Sequence, residues 1–250
     1  MPRIDLNCDL GEGAGNDVEL MALITSASIA CGGHAGDEAT MRATVRLALK
    51  HGVVIGVHPG FADREHFGRR ELALSPEEIV ELVQTQVRAL QKVAEEEGAA
   101  VSYVKPHGAL YNMAARTPAV ADAIARAVAD LGGVDGRLAL YGLSGGELLR
   151  AGRACGLEVK GEVFADRTYQ RDGLLTPRDR HGALIADETQ AVAQVLMMVG
   201  EGRVKTVDGG MAPVGADTLC LHGDGANAVA FAHGVRAALR REGVDVRSCV

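Results

Sequence analysis

Seven short apolar runs alternate with longer amphipathic stretches along this chain, and few folds accommodate that order. The runs are Ile4 to Asp9, Ala27 to Cys31, Val53 to His58, Val101 to Lys105, Arg137 to Tyr141, Val159 to Ala165 and Thr218 to His222. Most are rich in Val, Ile or Leu and bounded by Gly or Pro, as buried strands are. The stretches between them carry helix signals. Asp37 to His51 spaces Met41, Val45 and Leu49 along one face and stops at Gly52. Ser75-Pro76-Glu77-Glu78 is a helix cap with Pro at the first helical position, predicting a helix to about Glu97 that Gly98 ends. Further helices are predicted from Thr117-Pro118 to Gly132-Gly133, from Ser144 to Gly156, over Asp187 to Val199 and over Ala226 to Glu242.

Regular β-α alternation implies a parallel sheet with helices outside it. A closed barrel and an open doubly wound sheet both satisfy the pattern. The 250 residues carry no long polar linker and suit one domain, residues 1–250. That is close to the usual size of a (β/α) barrel, roughly 250 residues. The expectation is therefore an α/β barrel of about seven strands, irregular rather than eightfold. Asp166 to Ala186 is the least regular stretch and is predicted to be an active-site loop.

Composition narrows the function. A net charge of -7, with Lys and Arg scattered, disfavours nucleic acid and anionic membrane as partners. Aromatic residues are only 3%, too few for a base-stacking surface. The five cysteines form no CxxC pair, and three sit inside apolar runs. They read as small core hydrophobes in a reducing cytoplasm rather than a disulfide framework. Met1 leads directly into Pro2, Arg3 and a strand-like run, with no signal-peptide or membrane-length apolar segment, which also favours the cytoplasm.

The chemistry gathers where predicted strands end. The first run ends on Asp9 before Leu10-Gly11-Glu12-Gly13, the second leads to Gly32-Gly33-His34, and the third ends on His58-Pro59-Gly60. Lys105 leads to Pro106-His107-Gly108, Ala165 leads to Asp166-Arg167, and the last run ends on His222-Gly223-Asp224. In parallel α/β folds these ends share one face, where catalytic residues from different strands converge. Period-two alternation puts Asp5, Asn7 and Asp9 on one side of their strand, and would align Tyr103, Lys105 and His107 similarly if their strand reaches that far. Such residues need a polar interior, because burying them unpaired is costly.

A lone histidine beside glycine is commonly a loop residue. Four of them in four strand-end loops are harder to dismiss. His51 reads as a helix C-terminal cap, and His66, His181 and His233 as ordinary surface or loop residues. Glu12 and Asp224 are also readable as helix caps, and Lys105 as a salt-bridge partner. No GxxxxGK[ST] phosphate loop, HExxH or paired-Cys zinc signature is present. A divalent metal on Asp9 with His34, His58 or His222 suits the donor types, yet nothing in the sequence demands one, and no metal ligand is assigned.

At these residues the chain resembles the LamB/YcsF lactam-utilisation family. The matching stretches are DLNCDLGE (Asp5 to Glu12), SIACGGHAGD (Ser28 to Asp37), GVHPGFADREHFGRR (Gly56 to Arg70), VKPHGALYN (Val104 to Asn112), EVFADRTYQRDGLLTPR (Glu162 to Arg178) and LCLHGD (Leu219 to Asp224). The resemblance implies a barrel of the glycoside hydrolase/deacetylase kind. It implies the A subunit of a 5-oxoprolinase, cleaving 5-oxo-L-proline to L-glutamate with hydrolysis of ATP, in complex with subunits B and C. ATP is the implied cofactor and Mg a candidate divalent cation. The alternatives are a metal-dependent deacetylase on a related barrel and a non-catalytic subunit that only binds a ligand.

Coupled lactam opening needs a cation for the developing anion, a base for water and an acid for the departing nitrogen. Lys105 and Arg167 are expected to meet the anionic charge. Asp9 is the expected base, oriented by His34 or His58. His107 and His222 are expected to deliver protons, and Asp166 stands beside Arg167 in the same ring. Asn7, Glu12, Asp37, Asn112 and Asp224 are expected to hold the substrate's amine or carboxylate.

Overall fold

The computed structural model describes residues 2–132, 138–223 and 228–250. Arg137 and Ala226, which open a predicted strand and a predicted helix, lie outside them, and so does Asp224. Seven parallel strands close into a barrel. In chain order these are β1 (Arg3–Leu10), β2 (Ser26–Ala30), β3 (Val54–His58), β4 (Tyr103–Val104), β5 (Ala139–Leu143), β6 (Val159–Phe164) and, after two strands that lie outside the barrel, β9 (Thr218–His222). Closure comes from β1, which pairs β2 on one side and β9 on the other, with Asp5↔Thr218, Asn7↔Cys220 and Asp9↔His222 in register.

The seven expected runs are these seven strands. The helices wrap them: α1 (Asp17–Met21), α2 (Glu38–His51), α3 (Pro76–Glu96), α4 (Gly108–Arg116), α5 (Pro118–Leu131), α6 (Glu147–Ala154), α7 (Glu188–Glu201) and α8 (Ala228–Arg241). The caps explain the agreement. Asp37 accepts from the Thr40 backbone N–H, Gly52 ends α2 in the left-handed conformation, and Ser75 and Glu78 form a reciprocal capping box on α3.

Three details differ from the sequence reading. α6 begins at Glu147 with Gly146 as its cap, while the Ser144 hydroxyl instead accepts from the Gly215 N–H. The predicted Val101 to Lys105 strand shrinks to two residues, although Lys105 N–H still donates to the Val57 carbonyl. Between β6 and β9 the chain also builds an antiparallel pair, β7 (Arg203–Lys205) and β8 (Met211–Pro213), too short to stand out as strands.

Alternation sorts the layers as expected. Ile4, Leu6, Cys8 and Leu10 are buried in the main apolar core. Asp5, Asn7 and Asp9 face the barrel axis, where their partners come from other strands. At the floor, Asp5 accepts from the hydroxyls of Thr25 (2.6 Å), Ser26 (2.7 Å) and Thr218 (2.6 Å). Above Ser28, the rings of Tyr103 and Tyr141 stack 3.9 Å apart. The last strand, β10 (Asp245–Val246), pairs with Arg3 and Ile4 and brings Cys249 Sγ within 3.1 Å of the Tyr141 hydroxyl. The C-terminal residues thus close the end of the barrel opposite the strand-end ring.

Candidate active site

At the carboxyl ends of the strands, Lys105 is the hub. Its side chain is buried inside the barrel. Nζ donates to Asn7 Oδ1 (2.8 Å) and Glu162 Oε1 (3.0 Å), lies 2.5 Å from Asp9 Oδ1 and stands 3.3 Å from Cys220 Sγ. Asn7 Nδ2 donates to Glu162 Oε1 and to Thr218 Oγ1. Burial would discharge the ammonium, but Asp9, Cys220 and Glu162 outweigh it and hold the Lys105 pKa well above its usual value. Asp9 mirrors this. Burial would raise its carboxyl, but His58 and Lys105 hold it well below the ordinary range.

The histidines divide into two groups. His34, His58 and His107 crowd around Glu12. His34 Nε2 lies 2.9 Å from Glu12 Oε1, His107 Nδ1 3.3 Å and His58 Nε2 3.8 Å. The rings of His34 and His107 stack at 3.6 Å, and His58 meets both edge-on. Burial lowers the His34 pKa to about 4 and pushes His107 well below its usual value, helped there by His58 and His34. Both rings are therefore neutral near pH 7. Of the two histidines expected to orient Asp9, His58 reaches it, at 3.3 Å, whereas His34 faces Glu12.

The second group stands across the mouth. His222 Nδ1 lies 2.7 Å from Asp166 Oδ2, and its Nε2 lies 3.0 Å from Arg178 Nη2. Because the guanidinium only donates, Nε2 accepts and Nδ1 carries the proton that the carboxylate accepts. Burial would raise Asp166, but His222 and the two neighbouring guanidiniums hold it below its usual value. Arg167 is buried and donates to the Thr176 carbonyl; burial and the nearby Arg178 push its pKa down to about 10. Its Nε is buried without a hydrogen-bond partner among the described residues.

Both groups border one cavity of about 40 Å³, lined by Asp9, Glu12, His58, Lys105, His107, Glu162, Arg167, Arg178 and His222 among others. That is room for a water or an ion. It adjoins a groove of about 560 Å³ bordered by Arg69, Asn112, Arg116, Arg167 and Arg178. Arg167 and Arg178 line both spaces.

Most of the expected residues therefore converge. Asp37 does not: it is exposed and caps α2. Asn112 borders both spaces but donates its amide to the Gly108 carbonyl. Glu12 is a partner of three histidines rather than a helix cap. Glu162, Arg178 and Arg69 were missed by sequence reasoning. Glu162 carried a readable signal, an acidic residue inside the apolar run Gly161 to Ala165, by the same logic that singled out Lys105. The arginines carried none, because they sit in loops where charge is ordinary.

The sequence pattern of the LamB/YcsF family matches residues 4–250. The chain belongs to the LamB/YcsF family. Among relatives, it is 55% identical to a Geobacillus kaustophilus protein that is named as the A subunit of 5-oxoprolinase, over 99% of this chain and 97% of that one. Among solved structures, the lactam utilization protein from Thermus thermophilus is 45% identical, covers 98% of this chain and 99% of its own, and superposes with a TM-score of 0.90. That agreement fixes the LamB/YcsF barrel. A T48 deacetylase shares the barrel at a TM-score of 0.50 and 16% identity, covering 99% of this chain and 88% of its own, a likeness of fold alone. No helix among the described residues of this family member is long and apolar enough to cross a membrane.

Proposed function

We propose that this chain is the A subunit of an ATP-driven 5-oxoprolinase, opening 5-oxo-L-proline to L-glutamate together with subunits B and C. The observation that carries the reading is the match, at 55% identity and nearly full length, to a protein of that name. The pocket is chemically suited to it. A five-membered lactam is a stable amide, and its closed form outcompetes the open amino acid. Coupling to ATP reverses that balance.

In the proposed route the lactam carbonyl oxygen attacks the terminal phosphorus of ATP, releasing ADP and making the ring carbon electrophilic. Water adds to that carbon. The ring nitrogen then leaves with a proton, and a second water releases phosphate from the resulting acyl phosphate. Arg167 and Arg178 are suited to hold the phosphoryl group, since they border both cavity and groove and Arg167 Nε has donor capacity to spare. The chain carries no phosphate loop, so the nucleotide's other contacts are assigned to subunits B and C, with Mg accompanying ATP.

The proton transfers fall to His222. Its Nδ1–H is fixed by Asp166, and Nε2, which accepts from Arg178 Nη2 in this structure, is the atom that accepts from water once that guanidinium turns to the phosphoryl group. It takes a proton from the attacking water and returns it to the departing nitrogen. Asp9 was the base expected from the sequence. A carboxylate held well below its ordinary range by Lys105 and His58 is a weak proton acceptor, so Asp9 is assigned instead to charge and position. Lys105 is saturated by its four neighbours and is assigned to holding the barrel mouth in shape. The ring itself is placed in the groove of about 560 Å³, with its carbonyl at the small cavity.

The test is 5-oxoproline-dependent ATP hydrolysis by the B and C subunits with and without this chain. Glutamate formed only when all three are present supports the reading. Glutamate formed at the same rate without this chain contradicts it.

A further inference from the structure

The crowding of three histidines on one carboxylate poses a separate problem, because each outer ring nitrogen of two of them is already committed. His58 Nδ1 lies 2.8 Å from the Lys105 carbonyl, and His107 Nε2 lies 2.9 Å from the Phe67 carbonyl. A carbonyl only accepts, so both nitrogens carry hydrogen. With one hydrogen on each ring, His58 Nε2 and His107 Nδ1 are bare lone pairs, and they face each other at 2.9 Å. Two lone pairs at that distance require a cation between or beside them. A proton on one ring would serve that one contact. The oxygen of Glu12 and Nε2 of His34 stand in the same cluster, and all four donor atoms lie within 4.8 Å of one another.

We propose that Glu12, His34, His58 and His107 form a binding site for one first-row divalent metal ion of the Zn²⁺ or Co²⁺ class. Four N and O ligands about 2.0–2.1 Å from such an ion stand about 3.3 Å apart at the corners of a tetrahedron. Four of the six separations among these atoms are 2.9, 2.9, 3.3 and 3.8 Å, on either side of that value, and all six are within 4.8 Å. Three imidazoles and one carboxylate are donors this class of ion prefers. Anchoring the outer N–H on a backbone carbonyl is the arrangement that orients a metal-binding imidazole.

The surrounding backbone is shaped to hold the rings. Phe67, whose carbonyl fixes His107, sits at φ +54°, a left-handed conformation uncommon for a bulky residue. A methyl at Gly60 would lie 2.7 Å from His34 Nδ1, and one at Gly68 2.8 Å from His34 Cβ. Glu12, His58 and His107 line the cavity of about 40 Å³, so the ion would stand in its wall. None of the four residues is used in the proton transfers proposed above, and the inference is independent of the substrate.

The metal-stripped full-length chain, without partner subunits or substrate, is titrated with Co²⁺ near pH 7.5 and followed by calorimetry and visible absorption. The expected result is one equivalent bound, with ligand-field bands of low-coordinate Co²⁺ that Zn²⁺ abolishes. The bands should be lost in Glu12→Gln and in His107→Gln, each checked for folding by circular dichroism, and kept in His181→Ala, which alters an exposed histidine. If either variant unfolds, His34→Gln takes its place. No stoichiometric uptake by the folded wild-type chain overturns the proposal, and so does binding that survives both cluster variants. Because no lactam or ATP is used, failure here leaves the 5-oxoprolinase reading untouched.

Discussion

Asp9 Oδ1 and Lys105 Nζ lie 2.5 Å apart in the mouth of the barrel, one near the end of β1 and the other just past β4. Each is buried; Asp9 is the largest influence holding Lys105 charged, and His58 and Lys105 together hold the Asp9 carboxyl well below its usual range. Glu162 and Asn7 complete the ammonium's shell from two further positions on the barrel wall. The pair therefore ties the strands together at the level where the chemistry begins.

Removing one partner should cost more than removing both. Lys105→Met leaves Asp9 and Glu162 as buried carboxylates without their cation and should destabilise the chain by about 3–5 kcal/mol. The double variant Lys105→Met, Asp9→Asn should recover part of that loss. Urea unfolding of the two single variants and the double variant checks this, and strictly additive losses would contradict the coupling.

At the floor, Gly56 is a steric necessity. A methyl there would fall 2.1 Å from the Tyr103 ring, which stacks on Tyr141. Gly56→Ala must push Tyr103 out of that stack, and its thermal midpoint should drop in line with about 1–3 kcal/mol of overpacking. An unchanged midpoint would show that the floor yields easily.

Asp5 should give the protein a particular pH signature. Burial raises its pKa, with the hydroxyls of Thr218, Thr25 and Ser26 pulling the other way. A carboxyl whose pKa is raised on folding stabilises the fold most below its unfolded value, about 3.9, and that contribution is lost as pH rises through the folded value. Asp5→Asn is neutral throughout. The variant's melting temperature relative to wild type should therefore climb from pH 4 upward and then level off. A difference that stays constant across pH would refute the buried titration.

Asp37 separates structure from binding. It was a substrate-binding candidate in the sequence, yet its carboxylate caps α2 through the Thr40 N–H, away from the cavity. Asp37→Ala should lower the melting temperature and leave the KM for 5-oxoproline unchanged in the assembled complex. A raised KM at unchanged stability would restore its binding role.

These cases show what was legible in the chain. The seven barrel strands were readable because buried parallel strands are continuous apolar runs with glycine or proline at their ends. Convergence of His34, His58, His107 and His222 followed from strand direction alone. Their division into two groups did not, because it depends on the lengths of loops that bring Glu12 under three rings and Asp166 under the fourth. Glu162 was overlooked although it broke an apolar run just as Lys105 did. The short strands β7, β8 and β10 left no period to detect, and Arg178 became part of the site only through the path of its loop.

In the proposed mechanism, proton transfer at His222, oriented by Asp166, opens the lactam. The most direct measurement is glutamate formed from 5-oxoproline and ATP by the assembled three-subunit complex carrying His222→Gln in this chain. A fall in kcat of about 100-fold or more is expected, with the complex intact. Glutamate formation at the wild-type rate would contradict it.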